Sequence, residues 1–232
     1  MTFQTEVTEI IQRAPTVRSI RFRQPDCFQY LPGQFVNVIL GEDPDRISKP
    51  LSLSSSPTED FLEVTKRLTG HPFSNFLDAL KVGDKIQFNG PFGRLTFQEG
   101  QVKIGMLSGG IGITPLLSLI KYAADKGLDK DIVLLYSNRS EEDVAFRAEL
   151  KDLQSRNPKF RIIETITRPG IGWKGMTGRV NDIMVRTIVP DYIERTFYSS
   201  GPGAMVVAMA ALLKSLKVPE DKIMLEIFPG YD

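Results

Sequence analysis

A strand, a glycine-rich loop and a helix follow one another between Val102 and Pro115, and this stretch constrains the fold most. Val102–Leu107 is mostly apolar, which predicts a buried strand. Three glycines follow in Ser108-Gly109-Gly110-Ile111-Gly112, and glycine lets a backbone approach a ligand closely and adopt positive φ. Thr114 suits a helix N-cap and Pro115 the first helical position. We therefore expect free amides and the positive end of a helix dipole to face the loop, which predicts an anion site.

The loop has the spacing glycine-x-glycine-x-x-proline, so it lacks the third glycine of the usual dinucleotide fingerprint, and a tight turn would also need glycines. The strand before it and the cap after it favour a ligand. The usual fingerprint has an acidic residue after the next strand. Here Asp131–Tyr136 is followed by Ser137-Asn138-Arg139-Ser140. Arg139 with neighbouring hydroxyls suits a ribose 2′-phosphate, which favours NADPH over NADH, whereas the alternative is a solvated loop arginine beside the acidic run 141–143.

Turn residues divide the first hundred residues into short segments with strand-like alternation, which predicts a small barrel or sandwich. The predicted strands are Thr5–Ile11, Val17–Arg23, Gln34–Leu40, Leu51–Ser54, Phe61–Leu68 and Lys85–Asn89. The predicted turns are Pro32-Gly33, Glu42-Asp43-Pro44, Val82-Gly83-Asp84 and Gly90-Pro91. One helix is predicted over Pro72–Leu80, where apolar residues recur at helical spacing.

From Val102 onward the pattern alternates between strand and helix, which predicts a parallel sheet with helices on both faces. The predicted strands are Val102–Leu107, Asp131–Tyr136, Arg161–Thr167, Arg195–Ser199 and Lys222–Ile227, and the predicted helices are Pro115–Lys126, Glu142–Gln154, Val180–Ile188 and Ala204–Leu216. A polar connector at Gln98–Gln101 separates the two patterns. We expect one domain over 1–98 and a second over 101–232.

Composition excludes several classes of site. The formal net charge is +1, so no global field recruits nucleic acid or a membrane surface. Cys27 is the single cysteine and His71 the single histidine, which argues against disulfides, iron–sulfur ligation and a zinc site. The sequence has no apolar run long enough to cross a bilayer and no signal architecture at its start, so we expect a cytoplasmic protein without a metal.

Hydroxyl groups are concentrated in the first hundred residues. Ser52 and Ser54 alternate along a predicted strand and could hydrogen-bond the polar edge of a ring from one face. Ser74, near the start of the predicted helix, is placed like a second anion site. Each feature alone is explained equally well by a serine-rich turn or a helix cap.

Seven motifs in order give the whole chain a resemblance to the ferredoxin–NADP reductase superfamily, in the broad sense that includes oxygenase reductase components and flavin reductases. The motifs are Pro32-Gly33-Gln34-Phe35; Pro50-Leu51-Ser52-Leu53-Ser54-Ser55; Gly70 with Ser74-Asn75-Phe76-Leu77; Gly83-Asp84 with Gly90-Pro91-Phe92-Gly93; Gly109 to Pro115; Tyr198-Ser199-Ser200-Gly201-Pro202 with Met205; and Glu226-Ile227-Phe228.

The resemblance implies an amino-terminal Greek-key flavin-binding β-barrel and a carboxy-terminal Rossmann-like parallel α/β domain, with flavin and nicotinamide meeting between them. It implies catalytic roles for Ser52, Ser200 and Glu226. The residues implied to bind FAD or the nicotinamide dinucleotide are Lys49, Pro50, Leu51, Ser52, Val64, Lys66, Gly70, Phe73, Ser74, Asn75, Gly109, Gly110, Gly112, Thr114, Arg139, Ser140, Gly201, Pro202, Met205 and Phe228.

The chain departs from the family pattern at three positions. Lys49 and Leu51 stand where the family has arginine and tyrosine, which replaces a bidentate fork with a point charge and an aromatic ring with an aliphatic side chain. Arg46 or Arg67 could restore an arginine contact with the flavin pyrophosphate. Ser200 stands where many members have cysteine, and its hydroxyl can still donate a hydrogen bond.

The leading hypothesis is a reductase in which NADPH or NADH delivers hydride to FAD and the electrons pass to a separate acceptor such as a ferredoxin-like protein. The alternatives are a flavin reductase that releases flavin as a product and a non-catalytic nucleotide-binding subunit. The other notable side chains have simpler interpretations. They are a turn histidine at His71, a loop anchor at Trp173, a flavin cover or surface residue at Tyr231, a core-facing helix stripe at Met205, Met209, Leu212, Leu213 and Leu216, and a solvated helix face at Glu142–Arg156.

Overall fold

The computed structural model describes residues 1–41 and 46–228 of the chain. Six antiparallel strands form the first sheet, in the order β4-β3-β6-β1-β2-β5. They are β1 (Thr2–Ala14), β2 (Val17–Arg23), β3 (Phe35–Leu40), β4 (Ile47–Ser52), β5 (Phe61–Arg67) and β6 (Lys85–Phe92), with helix α1 (Pro72–Ala79) between β5 and β6. An antiparallel bridge between Leu53 and Val64 joins the two edge strands, which closes the sheet into a barrel.

The second sheet is parallel and has the order β10-β9-β8-β7-β11-β12. Its strands are β7 (Lys103–Gly109), β8 (Asp131–Asn138), β9 (Phe160–Ile166), β10 (Met176–Thr177), β11 (Thr196–Pro202) and β12 (Ile223–Phe228). Its helices are α2 (Ile113–Asp125), α3 (Arg147–Arg156), α4 (Asp182–Ile188) and α5 (Gly203–Ser215). The predicted fold class is therefore confirmed.

The central strands of the parallel sheet are apolar on both faces because helices cover both. Met106 and Leu134 pack with α2 and α3 on one face, whereas Leu107 and Leu135 pack with α4 and α5 on the other. The barrel has a separate core around Phe22, which is fully buried. Because helices cover both faces of the sheet, nearly every residue of its central strands must be apolar. The sequence has such apolar runs in these strands.

Two predicted helix starts are wrong. Helix α2 begins at Ile113 after a 3-10 turn over Gly110–Gly112, so its N-cap is Gly112 rather than Thr114. Helix α3 begins at Arg147 instead of Glu142, because Phe146 adopts left-handed backbone angles (φ 61°, ψ 18°) that interrupt a helix.

The strand limits differ from the predicted ones by a few residues at most ends, and β4 begins earlier and ends at Ser52. The two-residue strand β10 was not predicted. The predicted turn at Glu42-Asp43-Pro44 lies outside the described residues.

A buried ionic cluster joins the barrel to the parallel sheet, and we call it the interface network. Its members are Arg13, Glu59 and Glu63 from the barrel, Lys121 from α2 and Glu149 from α3. Arg13 lies 2.8 Å from Glu63 and 3.6 Å from Glu149, and Lys121 lies 2.6 Å from Glu149 and 3.3 Å from Glu59. Glu149 was predicted to lie on a solvated helix face, and the network corrects that interpretation.

The side chain of Glu63 is fully buried. Burial alone would raise the pKa of its carboxyl group, but the nearby cations, Arg13 first, together with the hydroxyl of Ser54 hold the pKa below its usual value. Glu63 is therefore a carboxylate at neutral pH. The hydroxyl of Ser118 on α2 also donates to the carbonyl of Ser55, at 2.6 Å, across the same boundary.

Within residues 1–41 and 46–228, no helix is both long and apolar enough to span a membrane.

Candidate functional site

A groove of about 590 Å³ lies at the carboxyl edge of the parallel sheet, and we call it the carboxyl-edge groove. Its walls come from the ends of β7, β8 and β11, from the first turns of α5 and from one barrel residue, Arg67. Carboxyl ends of parallel strands are where open α/β sheets bind ligands. A depression of about 660 Å³ on the outer wall of the barrel is larger, and Arg46 lines it beside Phe76 and Lys85. Arg46 therefore lines a different depression and not the carboxyl-edge groove.

The three glycines at the end of β7 and in the loop after it differ in what surrounds them. Gly110 has φ 52°, and the nearest atom to a Cβ placed there is Nη2 of Arg67 at 3.6 Å, so this glycine faces the groove. A Cβ at Gly112 would lie only 2.1 Å from the carbonyl oxygen of Ser200. A Cβ at Gly109 would lie 2.6 Å from Sδ of Met205. Gly112 is therefore required for packing against the backbone of β11, whereas a Cβ at Gly109 would displace only the end of the flexible Met205 side chain.

Thr114 does not cap α2. Its hydroxyl is buried and donates to the carbonyl of Ile111 at 3.2 Å, so it satisfies an acceptor in the 3-10 turn instead of an amide of the first turn. The first turn of α2 therefore has no side-chain cap, and the segment that lines the groove is Gly109–Ile111, just before the buried first residues of α2.

Ser108 supplies a second reason to expect a polar ligand in the groove. Its side chain is 2% exposed and lines the groove, and its Oγ atom has no hydrogen-bond partner in the described structure. A buried hydroxyl without a partner costs free energy unless a ligand or water satisfies it. Phosphate and sugar oxygens of a nicotinamide dinucleotide fit this requirement.

The residues at the end of β11 occupy different environments. Gly201 (φ 140°) and Pro202 form the strand end, and Pro202 and Met205 line the groove. Ser200 does not present its hydroxyl to the groove. Its side chain is fully buried and Oγ donates to the carbonyl of Gly112 at 2.6 Å, so the hydroxyl stabilises the glycine loop. The predicted catalytic role of Ser200 therefore lacks a geometric basis.

Ser52 and Glu226 meet although 174 residues separate them. The hydroxyl of Ser52, at the end of β4, donates to Oε1 of Glu226 in β12 at 3.0 Å. Phe35 and Gly93 of the barrel lie beside this pair. Burial raises the pKa of the Glu226 carboxyl group to about 7, although the hydrogen bond from Ser52 opposes the shift. This carboxyl group can hold or release a proton near neutral pH. Phe228 follows in the same strand and packs against the core of the parallel sheet.

The raised pKa of Glu226 predicts a pH-dependent stability. In the unfolded chain its pKa is near 4.5, so between pH 4.5 and 7 the folded chain binds the additional proton and its stability falls as pH rises. We expect Glu226→Gln to raise the free energy of unfolding by about 3 kcal/mol at pH 8 and by almost nothing at pH 4.5. Urea unfolding at a series of pH values measures the difference. Glu99→Gln, at an exposed position, serves as the control. A change in unfolding free energy for Glu226→Gln that is constant with pH would contradict the raised pKa of Glu226.

The residues predicted to hold flavin line one side of the barrel on β4 and β5. Lys49 is exposed, whereas Lys66 is half-buried. Burial, together with the charge of Lys49, lowers the pKa of the Lys66 ammonium group to about 8. Two mutually repelling cations on one surface are stabilised by an anion between them, which fits a pyrophosphate.

Three other predicted flavin contacts lie in the barrel core. Leu51, Val64 and Phe73 are 7%, 1% and 5% exposed, and their side chains belong to the apolar core of the barrel. Only their backbone atoms remain for a ligand. The adjoining Pro50 is half-buried on β4.

The loop before α1 is organised by its own side chains. Oγ of Ser74 is buried and accepts a hydrogen bond from the amide of Thr69 at 2.9 Å, and Asn75 donates to the carbonyl of Gly70 at 3.0 Å. Gly70 has φ 76° with no atom near its Cβ position, so the loop is open on that side. The hydroxyl of Ser54 is not available to a ring edge, because it is buried and bonded to Glu63 and Thr65.

Two arginines line the groove. Arg139 is exposed after β8, and Arg179 lies in the segment before α4. Arg179 was missed because no local motif surrounds it. Ser140 turns away from the groove, and its hydroxyl donates to Asp143 at 3.0 Å.

The remaining candidates have structural roles. His71 is the N-cap of α1 and is exposed, and Cys27 is exposed on a loop. Trp173 anchors its loop, since its indole N–H donates to the carbonyl of Met176 at 2.9 Å and its ring packs on the core of the parallel sheet. Tyr231 lies outside the described residues.

Family models match both halves of the chain. Residues 4–97 match a model described as an oxidoreductase FAD-binding domain, and residues 106–211 match one described as an oxidoreductase NAD-binding domain. The two matches together cover most of the residues that form the barrel and the parallel sheet.

Individual proteins give the same picture. A glycine betaine monooxygenase reductase subunit from Chromohalobacter salexigens is 34% identical over 89% of this chain, and the ferredoxin reductase component of a 3-ketosteroid-9-alpha-monooxygenase from Mycobacterium tuberculosis is 28% identical over 99%. The chain spans 59% and 66% of the lengths of these relatives. A ferredoxin NADP+ reductase from Neisseria gonorrhoeae, solved with FAD and NADP, shares the fold with a TM-score of 0.83 at 21% identity, and the match covers 97% of this chain and 98% of that one.

Proposed function

Because the chain belongs to the ferredoxin–NADP reductase superfamily, we propose that it transfers hydride from NADPH or NADH to FAD and passes electrons to a separate acceptor. The observation that carries the proposal is the hydrogen bond between Ser52 and Glu226. This bond, 3.0 Å between Oγ of Ser52 and Oε1 of Glu226, joins strand β4 of the barrel to β12, the last strand of the parallel sheet. Two cofactors bound as the sequence motifs suggest would meet at this contact.

The proposal divides the chain into an FAD-binding domain over 1–98 and a nicotinamide-binding domain over 101–232. FAD, when bound, supplies a ring that accepts hydride from a reduced nicotinamide and releases the electrons to an acceptor. Lys49 and Lys66 would hold its pyrophosphate, and the open loop at Gly70 would admit it. Hydride transfer requires no side-chain nucleophile, so the chain contributes distance, orientation and charge.

Three residues have defined tasks in this scheme. Ser52, whose one hydroxyl proton is donated to Glu226 in this structure, would turn that proton toward the reacting edge of the flavin ring when flavin is bound. Glu226 accepts from Ser52 and, with a pKa of about 7, can hold a proton on its carboxyl group at neutral pH. Gly110 would leave room for the nicotinamide dinucleotide's pyrophosphate at the start of α2.

Anaerobic mixing tests the proposal directly. The yellow holoprotein should lose its oxidised flavin absorbance on addition of NADPH or NADH, and a suitable acceptor should restore it. Absence of bleaching with both nicotinamides would contradict the proposal and favour a non-catalytic nucleotide-binding subunit.

A flavin reductase is the second candidate, favoured by the replacement at Leu51. The side chain of Leu51 is buried in the barrel core, so it provides no aromatic cover for a flavin ring. Gel filtration under mild conditions distinguishes the two functions. Complete loss of flavin from the protein would favour release as a product, and co-elution would favour a bound cofactor.

The acceptor is proposed from the relatives. Two of them are named as reductase parts of monooxygenases, and one of these is named a ferredoxin reductase component. We propose that this chain reduces a ferredoxin-like protein or an oxygenase that is a separate polypeptide.

We propose NADPH as the preferred nicotinamide because Arg139 and Arg179 both line the groove. A guanidinium group binds phosphate through paired, charge-assisted hydrogen bonds. We expect Arg139→Ala to raise KM for NADPH by about 10-fold, since such bonds contribute about 1.5–3 kcal/mol before solvent screening, and to change KM for NADH by less than about 2-fold. Steady-state kinetics with both substrates measures this, and equal effects on the two would contradict the 2′-phosphate assignment.

A further inference from the structure

Arg67 is a barrel residue that reaches the carboxyl-edge groove. It is the last residue of β5, and its side chain is about one-third exposed. Its Nη1 atom lies 3.2 Å from Oγ1 of Thr16 and 3.3 Å from Oδ1 of Asp143. Its Nη2 atom lies 3.6 Å from the position that a Cβ would take at Gly110. The guanidinium group therefore lies over the glycine loop of the other sheet.

The orientation of Arg67 distinguishes it from its neighbour Lys66. Successive side chains of a strand point to opposite sides. Lys66 lies near Lys49 on the side predicted to hold flavin, and burial together with the charge of Lys49 lowers the pKa of Lys66. Arg67 points the other way and lines the groove. The hypothesis that Arg67 replaces the missing flavin arginine is thus disfavoured by geometry.

Two independent features place a phosphate near this guanidinium group. The glycine loop lines the groove at Gly109, Gly110 and Ile111, immediately before α2, and the positive dipole end of that helix attracts anions. The buried Oγ of Ser108 has no hydrogen-bond partner in the described structure and lines the same groove. Asp143 holds the guanidinium group in position, and Asp143 is itself oriented by the hydroxyl of Ser140 at 3.0 Å.

We propose that Arg67 binds the pyrophosphate of the nicotinamide dinucleotide from the flavin-binding side of the molecule. The proposal rests on the proposed function and assigns one barrel residue to the nucleotide's binding site. Bound dinucleotide would then contact both halves of the molecule, through the glycine loop after β7 on one side and Arg67 on the other. Because the pyrophosphate is common to both nicotinamides, Arg67 would not discriminate between NADPH and NADH.

Calorimetric titration of the oxidised holoprotein with non-reducing ligands tests this assignment. NADP+, NAD+ and ADP-ribose carry the pyrophosphate, whereas AMP carries a single phosphate. We expect Arg67→Gln to weaken binding of the first three by about 10-fold or more, and binding of AMP by less than about 3-fold. Arg67→Lys retains the charge without the fork and should give an intermediate loss.

The control variant is Arg18→Gln, which removes a surface arginine that pairs with Asp78 on the barrel. It should bind every ligand as the unaltered protein does. Flavin content and thermal unfolding of each variant report whether the barrel is intact.

Several results would overturn the assignment. Unchanged ADP-ribose binding in Arg67→Gln would do so, while bleaching by NADPH would leave the proposed function standing. Equal losses for AMP and ADP-ribose would place Arg67 at another part of the ligand. Loss of flavin with nicotinamide binding retained would return Arg67 to the flavin pyrophosphate. If the unaltered holoprotein binds none of the pyrophosphate ligands, the proposed function fails with it.

Discussion

Replacing Gly112 with alanine is expected to destabilise the folded chain by about 3 kcal/mol, at the upper end of the usual cost of overpacking. A Cβ atom there would lie 2.1 Å from the carbonyl oxygen of Ser200 and 2.9 Å from Cα of Gly201. Both atoms belong to the backbone of β11, which pairs with β7 on one side and β12 on the other. A backbone held on two sides cannot move aside as a flexible side chain can, so the glycine loop must shift.

Thermal unfolding measures the effect of Gly112→Ala. For a chain of this size, about 3 kcal/mol corresponds to a Tm lower by about 6–12 °C. Nicotinamide binding should weaken as well, because the displaced loop lines the carboxyl-edge groove. Gly170→Ala is the matched control, since the nearest atom to its Cβ position is Oε1 of Glu141 at an ordinary 3.8 Å. Equal Tm values for the two variants would contradict the close packing of Gly112 against β11.

Arg13→Met is expected to lower the free energy of unfolding by about 3 kcal/mol, at the low end of the cost of breaking a buried ion pair, because the fully buried Glu63 loses one of its two arginine partners. Arg13 donates to Glu63 at 2.8 Å and to Ser19 at 2.9 Å, and its guanidinium group lies 4.7 Å from the centre of the Phe146 ring. Methionine retains part of the apolar stem, so most of the loss is electrostatic. Glu63 would keep Arg21 and Ser54 as direct partners and Lys121 as a further nearby cation.

The comparison that isolates burial is Arg18→Met on the neighbouring strand. Arg18 pairs with Asp78 at the barrel surface, where an ion pair contributes between 0 and about 1 kcal/mol. Urea unfolding of both variants gives the two costs. If Arg18→Met is as destabilising as Arg13→Met, the interface network has no special contribution.

The fold class could be predicted because it depends on periodicity. Alternating strands in the barrel and apolar runs such as Val102–Leu107 are local patterns, and each sheet requires its own. Helix starts were predicted less well. Thr114 and Pro115 are residue types typical of a helix start, but a 3-10 turn over the preceding residues moves the start of α2 to Ile113. At Phe146, no turn residue such as glycine or asparagine marks the left-handed backbone that delays α3.

The candidate site was predictable where a motif marks it and not where tertiary structure decides it. Gly110 and Glu226 belong to recognisable motifs, and the structure places Gly110 at the groove and Glu226 beside Ser52. Ser200 has the right position in the chain, but its hydroxyl is taken by the carbonyl of Gly112. Arg179 and Arg67 reach the groove from distant segments, and an isolated arginine carries no sequence signal of the partner that it will meet.

The interface network also limits how such chains can be recombined. Arg13 and Glu63 are supplied by the barrel, whereas Lys121 and Glu149 are supplied by helices of the parallel sheet. A chimera that joins this barrel to the nucleotide-binding half of a relative would bury Arg13 and Glu59 opposite side chains that did not evolve with them. Functional exchange of one half therefore requires that the matching charges on α2 and α3 be transplanted with it.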